Sequence, residues 1–93
     1  MPVQRQLHAF VSGQVQGVNF RLFVRHLAAI HRLTGWVKNL EDGRVEAVAE
    51  CEEKNLKEFV RGLEQGPPGA QVEKVECTWH AATGEFKGFE KLY

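Results

Sequence analysis

The spacing of apolar residues changes once within the first 35 residues, from every second position to steps of three and four. Leu7, Ala9 and Val11 recur with a period of two, which is typical of a strand. After a glycine-containing stretch, the apolar positions follow helical spacing, at Phe20, Phe23, Val24, Leu27, Ile30 and Leu33. Thr34-Gly35 then supplies the stop typical of a helix C-terminus. This part of the chain predicts a strand, a loop and a helix.

Residues 35–51, GWVKNLEDGRVEAVAEC, contain two strand-like runs on either side of Asp42-Gly43. Asp-Gly between such runs is one of the strongest short-range signals for a β-hairpin. The apolar face of the second run would consist of Val45, Ala47, Ala49 and Cys51. Glu46 and Glu50 would lie on its opposite face. We therefore predict a hairpin whose second strand buries one face.

The remaining residues predict a second helix followed by one or two strands. An amphipathic helix is indicated by the apolar residues Leu56, Phe59, Val60 and Leu63, and it would end at Gly66-Pro67-Pro68-Gly69. A fourth strand is predicted by the alternation of Val75, Cys77 and Trp79, and FKGFEKLY at the C-terminus is a candidate short fifth strand. The resulting βαββαβ order predicts an α+β, ferredoxin-like fold, in which two helices cover one face of an antiparallel sheet of four or five strands.

Composition and charge narrow the class of protein. A chain of 93 residues with 43% hydrophobic content suits one domain over residues 1–93. Twelve Lys and Arg residues balance twelve Asp and Glu residues, so the chain lacks the basic excess that favours nucleic acid or anionic lipid. No apolar run approaches the roughly 18 residues of a membrane span, and the N-terminus has no secretory pattern. We expect a soluble, cytoplasmic protein with no membrane or nucleic-acid partner.

The residues that most often hold metals lack metal-site spacing in this sequence. Cys51 and Cys77 stand alone, which predicts buried free thiols rather than a zinc site or a disulfide. The histidines also lack ligand spacing and are expected to be structural or solvated; they are His8, His26, His31 and His80. The sequence therefore predicts no metal site.

The stretch GQVQGVNFR, residues 13–21, connects the first strand to the first helix and has the features of an anion-binding loop. The first N–H groups of a helix lack partners within the helix. Gly13 and Gly17 allow positive φ and close approach of a ligand, and Arg21 offers a planar fork that matches phosphate or carboxylate oxygens. In the alternative interpretation the glycines only shape a turn and Arg21 is a solvated helix residue. No Gly-Lys-Ser/Thr follows, so the loop is not a Walker A motif.

Val15 restricts the chemistry that such a loop could support. The loop resembles the phosphate loop of cysteine phosphatases, in which five residues separate a cysteine from an arginine, but Val15 occupies the cysteine position. Because valine cannot attack phosphorus, a phosphoenzyme formed here is excluded and water would be the nucleophile. A leaving group that needs no acid fits best, such as the carboxylate of an acyl phosphate, whose conjugate acid has a pKa of about 4. These residues narrow the chemistry without selecting a substrate.

Two stretches of the chain resemble the signatures of the acylphosphatase family. Residues 13–21 are similar to G-x-V-Q-G-V-x-F/Y-R, and residues 35–46 are similar to G-W/Y-V-x-N-x-x-D-G-x-V-E. The two stretches occur in the family's order and separation, and the predicted βαββαβ order spans nearly the whole chain. Lys91 departs from the apolar strand residue that the family often has, which leaves the register of the last strand open.

The resemblance implies an enzyme that hydrolyses small-molecule acyl phosphates to a carboxylate and inorganic phosphate, without metal or organic cofactor. It assigns the two catalytic side chains to Arg21 and Asn39. The phosphate would be held by the arginine and by the backbone N–H groups of Gln16, Gly17, Val18, Asn19, Phe20 and Arg21. The Asn39 amide would orient the water, but it has no basicity, so the proton must pass to solvent or substrate. We expect a monomer, and we leave Trp36 and Val37 outside the catalytic set.

Three other interpretations of the same residues were considered. Without the first signature, Asn39 would be taken as a polar residue at a strand end before a turn. RNA-recognition domains share the βαββαβ order, but they stack bases on aromatic residues, and the third strand here has no aromatic residue and two acids. A regulatory module that binds a small anion without hydrolysing it remains the alternative, because a fold does not fix a function. The joint presence of Arg21 and Asn39 favours the enzyme.

Overall fold

Two helices pack on one five-stranded sheet in the computed structural model, which describes residues 3–92. In chain order the elements are β1 (Gln4–Gln14), α1 (Phe20–Ile30), β2 (Thr34–Asn39), β3 (Val45–Glu52), α2 (Glu53–Gln65), β4 (Gln71–Ala81) and β5 (Phe89–Lys91). This order confirms the predicted ferredoxin-like fold, and the candidate fifth strand is present. No helix within the described residues is both long and apolar enough to cross a membrane.

The sheet has the strand order β4-β1-β3-β2-β5, and its last strand differs from the prediction. The first four strands pair antiparallel, as predicted, but β5 pairs parallel to β2, so the sheet is mixed. After β4 the chain crosses from one edge of the sheet to the other and then returns in the direction opposite to β4. This is also the direction of β2, so β5 and β2 pair in parallel. Lys91 pairs with Val37, which fixes the register that the sequence left open.

The hydrophobic core lies between the sheet and the two helices. Its strand residues confirm the predicted alternation, with Leu7, Ala9, Val11, Val45, Ala47 and Ala49 each at most 1% exposed. The helices contribute their apolar stripes, which include Phe20, Val24, Ala28, Leu56, Phe59 and Leu63. Full burial of one large apolar side chain stabilises a fold by about 1.5–3 kcal/mol, so these stripes fix how each helix sits on the sheet.

Helix α1 ends at Ile30, earlier than the predicted stop at Thr34-Gly35. Arg32 takes a left-handed conformation with φ of 60°, and the N–H of Leu33 donates to the carbonyl of Ala28 at 2.8 Å. This closure is a Schellman motif, in which the residue after the left-handed one packs back on the helix. Leu33 is therefore buried just beyond α1 rather than on it, whereas Ile30, predicted on the apolar stripe, is 71% exposed.

The predicted hairpin is confirmed, with residues 40–44 joining β2 to β3. Asp42 closes the loop, because its carboxylate accepts hydrogen bonds from the main-chain N–H and the Nε of Arg44. The first of these bonds outweighs desolvation and lowers the pKa of Asp42. The loop is longer than a two-residue turn. Its carbonyls at Leu40 and Arg44 accept hydrogen bonds from the side chain of Gln16 in the β1–α1 loop.

Glu50 of β3 anchors the connection between β4 and β5 on the face of the sheet opposite to the helices. Its side chain is buried and accepts four hydrogen bonds, from the Gln6 amide, the N–H and hydroxyl of Thr83, and the N–H of Gly84. Burial alone would raise the pKa of Glu50, but these donors together outweigh it and lower the pKa. The bonds hold the chain where it crosses the sheet on its way to β5.

The cysteines and His8 can be compared with the predicted free thiols and structural histidines. Both thiols are free, but Cys51 is buried whereas Cys77 is only half-buried, so the second burial prediction was too strong. Burial, together with the charge of Glu64, raises the pKa of Cys77. His8 is half-buried and bonds to Glu46 at 2.6 Å. Among residues 3–92 no group of three His, Cys, Asp or Glu side chains could hold a metal ion.

Candidate active site

A cavity of about 200 Å³ opens where the β1–α1 loop meets the ends of β2 and β5. It is lined by Val15, Gln16, Gly17, Asn19, Phe20, Arg21, Leu22, Asn39 and Lys91. The structure thus brings together Arg21 and Asn39, the two side chains that the sequence singled out. Of the predicted loop residues, Val18 does not line the cavity, because its side chain packs against the core.

The loop that forms one wall of the cavity turns through two left-handed residues, Gly17 with φ of 77° and Asn19 with φ of 58°. Asparagine tolerates this conformation better than most residues with a side chain. The first main-chain hydrogen bond of α1 runs from the N–H of Phe23 to the carbonyl of Asn19. The N–H groups before Phe23 therefore have no acceptor within the helix and suit an anion at this end.

Gly13 has a different role from the one that the sequence suggested. Its φ of 124° confirms the predicted positive value, but the residue lies on β1 beside β4 rather than at the cavity. A Cβ at this position would overlap the carbonyl oxygen of Gln71. Gly13 therefore permits close pairing of two strands, and only Gly17 shapes the wall of the cavity.

The side chain of Gln16 ties this loop to the hairpin. Its Nε2 donates to the carbonyl oxygens of Leu40 at 2.8 Å and Arg44 at 3.0 Å. Both carbonyls belong to the turn that begins directly after Asn39. The bonds fix the distance between the wall that carries Arg21 and the strand end that carries Asn39. The sequence predicted Gln16 only as a main-chain donor and missed this contact, since it depends on tertiary placement.

Arg21 lies in the first turn of α1 and bonds to the main chain of Leu92, which follows β5. Its Nη1 donates to the carbonyl oxygen of Leu92 at 2.6 Å, and the N–H of Leu92 donates to the carbonyl of Val37 at 2.8 Å. A guanidinium carries five donors in a fixed plane, so a bond to the main chain is compatible with binding an oxyanion. The segment after β5 thus sets the direction of the arginine fork.

Asn39 is the last residue of β2, and its side-chain acceptor has no partner among residues 3–92. Its Oδ1 is buried and accepts no hydrogen bond from any residue in the range 3–92. Such atoms are rare, because a buried polar atom without a partner loses the hydrogen bonds that it makes to water when exposed. Asn39 lines the same cavity as Arg21, so its side chain lies beside the space that a substrate would occupy.

Comparison with known proteins identifies the family. The sequence model of the family named Acylphosphatase matches residues 7–91. The chain belongs to the acylphosphatase family. An acylphosphatase of Roseiflexus sp. (strain RS-1) is 48% identical over 86 residues, which cover 92% of this chain and 92% of that protein. The crystal structure of acylphosphatase from Bacillus subtilis matches with a TM-score of 0.93 and 39% identity, covering 96% of this chain and 99% of that one.

A structure of an acylphosphatase from Coxiella burnetii is also similar, with a TM-score of 0.90 and 39% identity over 97% of this chain and 94% of that one. These relatives confirm the resemblance that the two signatures indicated, and they support the fold and the function together. The chain is accordingly a hydrolase of the acylphosphatase type, with a small-molecule acyl phosphate as substrate.

Two features of the second family signature can now be placed. Val37 is fully buried in the core, and Trp36 lies on the opposite face of β2, where the Nζ of Lys38 sits 5.4 Å from the ring centroid. Neither lines the cavity, in agreement with their exclusion from the catalytic set. Lys91 does line it, although the sequence had marked this residue only for its unusual place in the last strand.

Proposed function

We propose that the chain hydrolyses acyl phosphates in the cavity between the β1–α1 loop and Asn39, by direct attack of water on phosphorus. The observation that carries the proposal is that Arg21 and Asn39 line one cavity, and that the buried Oδ1 of Asn39 has no partner within the described range 3–92. The guanidinium of Arg21 suits a phosphoryl group, and the amide of Asn39 suits a water. No finding favours the alternative of a non-catalytic anion-binding module.

In this proposal the phosphoryl oxygens are bound by the guanidinium of Arg21 and by the N–H groups of the loop, from Gln16, Gly17, Val18, Asn19, Phe20 and Arg21. The helix N-terminus and the left-handed residues support this role, because they direct main-chain donors and positive partial charge to one end of α1. Donors fixed before the reaction begins stabilise the charge of the transition state without reorganisation.

The proposed nucleophile is a water that donates a hydrogen bond to the Oδ1 of Asn39. The water oxygen forms a bond to phosphorus, the bond between phosphorus and the acyl oxygen breaks, and its electron pair leaves on the carboxylate. The proton of the water passes to solvent or to a phosphoryl oxygen, because an amide is not a base. The carboxylate leaves without an acid, since its conjugate acid has a pKa of about 4.

The location of Val15 supports a reaction without a covalent intermediate. Val15 is fully buried in the core, and its side chain offers no nucleophile at the position where cysteine phosphatases have their cysteine. We further propose that residues 1–93 act as one domain, as a monomer in the cytoplasm, without metal or cofactor and without nucleic-acid partners. The equal numbers of acidic and basic residues support the last point.

The test is an assay in the presence of EDTA that compares acetyl or benzoyl phosphate with a phosphate monoester. We expect rapid hydrolysis of the acyl phosphate alone. Arg21→Gln should lower kcat/KM by on the order of 10²-fold or more, because it removes a cation that faces the transition state. Arg25→Gln is the matched control, since Arg25 is an exposed arginine one turn further along α1.

Asn39→Ala should lower kcat more than it weakens phosphate binding, because the proposed partner of Asn39 is the water. The proposal would be overturned if Arg21→Gln retained activity within a few-fold of wild type, or if the monoester were hydrolysed as fast as the acyl phosphate. Phosphate binding without any hydrolysis would instead establish the binding module.

A further inference from the structure

Lys91 lies on the face of β5 that points toward the helices. It pairs with Val37, whose side chain is fully buried beneath them, and residues in register on neighbouring strands project to the same face. Two residues earlier on the same face, Phe89 contacts Phe59 of α2 with ring centroids 6.3 Å apart. The lysine side chain therefore starts inside the layer that contains the cavity, in agreement with its place in the cavity lining.

The strand end that carries Lys91 is fixed on both sides. The next residue, Leu92, donates its N–H to the carbonyl of Val37 at 2.8 Å and accepts from the Nη1 of Arg21 at 2.6 Å. The main chain at Lys91 is thus bonded to β2 on one side and adjoins the arginine on the other. A long side chain from this point can reach an anion that Arg21 binds.

The charged side chains of the cavity favour an anion. Of the lining residues that the structure describes, Arg21 and Lys91 carry charge, and both are cations. A phosphoryl group carries close to two negative charges at neutral pH, by analogy with a phosphate monoester whose second pKa is about 6. An apolar residue in place of Lys91 would contribute no positive charge to this cavity.

We propose that Lys91 is a second cationic side chain that binds the phosphoryl group in this cavity, so that the chain holds substrate and product phosphate more tightly than it would with an apolar residue there. The inference rests on the proposed function of the cavity. An ammonium is a point charge that can follow the phosphoryl group, whereas the arginine fork fixes its orientation. Lys91 therefore adds affinity in the ground and transition states alike, and affects KM more than kcat.

Titration of inorganic phosphate by calorimetry tests the inference without turnover. We expect Lys91→Met and Lys91→Ile to raise the Kd for phosphate by about tenfold, the effect of one charged contact that is partly exposed to solvent. Lys91→Arg should stay close to wild type, because it keeps the charge. Lys87→Met removes the same charge from an exposed position outside the cavity and should change the Kd less than twofold.

In steady-state assays, KM for acetyl phosphate should rise with the Kd in Lys91→Met, while kcat should stay within about threefold of wild type. The Kd of wild type should also rise more steeply with salt than that of Lys91→Met, because one fewer charge is screened in the variant. Urea denaturation of each variant checks that it is folded.

The outcomes separate this inference from the function on which it rests. If Arg21→Gln weakens phosphate binding and Lys91→Met leaves the Kd within twofold of wild type, the assignment of Lys91 is wrong and the proposed site stands. An equal rise of the Kd in Lys87→Met would also overturn it, because the effect would then follow from net charge. If neither Arg21→Gln nor Lys91→Met weakens phosphate binding, the proposed site and the inference are both wrong.

Discussion

Replacing Gln16 by methionine should separate the two walls of the cavity while leaving the core intact. Methionine keeps the length and most of the volume of glutamine, but it lacks the Nε2 that donates to the carbonyls of Leu40 and Arg44. The loop that carries Arg21 and the turn that follows Asn39 then lose their direct connection. The substitution therefore tests whether this connection sets the geometry of the site.

The expected loss of stability can be worked out from the two bonds. A neutral hydrogen bond contributes about 0.5–1.5 kcal/mol net, and an acceptor left without any partner costs more. Both acceptors keep a second donor: the N–H of Gly43 bonds to the Leu40 carbonyl at 3.2 Å, and the N–H of Leu40 bonds to the Arg44 carbonyl at 2.8 Å. We therefore expect the free energy of unfolding to fall by about 1–3 kcal/mol, the sum for two such bonds.

The substitution should also lower the catalytic rate. A displacement of about 1 Å between catalytic groups can cost on the order of 10²-fold in rate, so we expect kcat to drop by roughly 10- to 100-fold. The assays are urea denaturation and steady-state hydrolysis of acetyl phosphate at a temperature where the variant is fully folded. Gln16→Glu should lower both kcat and the free energy of unfolding further than Gln16→Met, because a carboxylate would face two carbonyls and an anionic substrate.

Gln14→Met is the matched control, because Gln14 is an exposed glutamine two residues earlier at the end of β1. It should leave both kcat and stability near wild type. If Gln16→Met lowered stability as expected but kept kcat within twofold of wild type, Gln16 would be a structural residue only. The coupling of loop and hairpin would then have no part in positioning Arg21 and Asn39.

Two further predictions concern the scaffold. Glu50→Gln should lower stability at pH 7 by about 1–3 kcal/mol, because the carboxylate accepts four hydrogen bonds. The lowered pKa of Glu50 means that the wild-type advantage is present above the unfolded pKa of about 4.3 and is lost as pH falls through the folded value, so the two proteins should converge in urea titrations once the pH lies below the folded pKa. Gly35→Ala should destabilise by more than about 2 kcal/mol in the same assay, because a Cβ there would overlap the carbonyl oxygen of Val48 and φ is 142°.

Each of these predictions has a clear contrary result. A constant difference between wild type and Glu50→Gln from pH 7 to pH 3 would show that the ionised carboxylate is not what holds Thr83 and Gly84. For Gly35, the control is Gly43→Ala, which also has positive φ but no atom within 4 Å of the added Cβ. Equal losses at the two glycines would mean that backbone strain, and not the approach of β3, dominates at Gly35.

The sequence predicted those parts of the molecule that depend on local pattern. Alternation at Leu7, Ala9 and Val11 located β1, and Asp42-Gly43 located the hairpin. The end of α1 was missed because the apolar spacing continues to Leu33, and a non-glycine residue, Arg32, takes the left-handed conformation that closes the helix. Packing of Leu33 decides this closure, and the local sequence carries no glycine to mark it.

The site was predicted in a similarly uneven way. Arg21 could be proposed from its loop alone, whereas Asn39 required the family resemblance carried by both signatures, since a lone asparagine before a turn has no distinctive chemistry. The place of Lys91 in the cavity lining could not be predicted, because it depends on β5 docking parallel to β2 at the far edge of the sheet. That docking is a tertiary event, and three strand residues carry too little periodicity to reveal their register.

The way in which the cavity is assembled explains why such long-range contacts matter for its chemistry. Gln16 and Arg21 both donate to main-chain carbonyls of other elements, Gln16 to the turn after β2 and Arg21 to the carbonyl of Leu92. The position of a main-chain carbonyl is fixed only as well as the strand or turn that carries it. Because β5 has three residues, its position also depends on the three bonds from Thr83 and Gly84 to Glu50 that hold the preceding crossing. A carboxylate on the far face of the sheet thereby helps to aim Arg21, the proposed phosphate ligand.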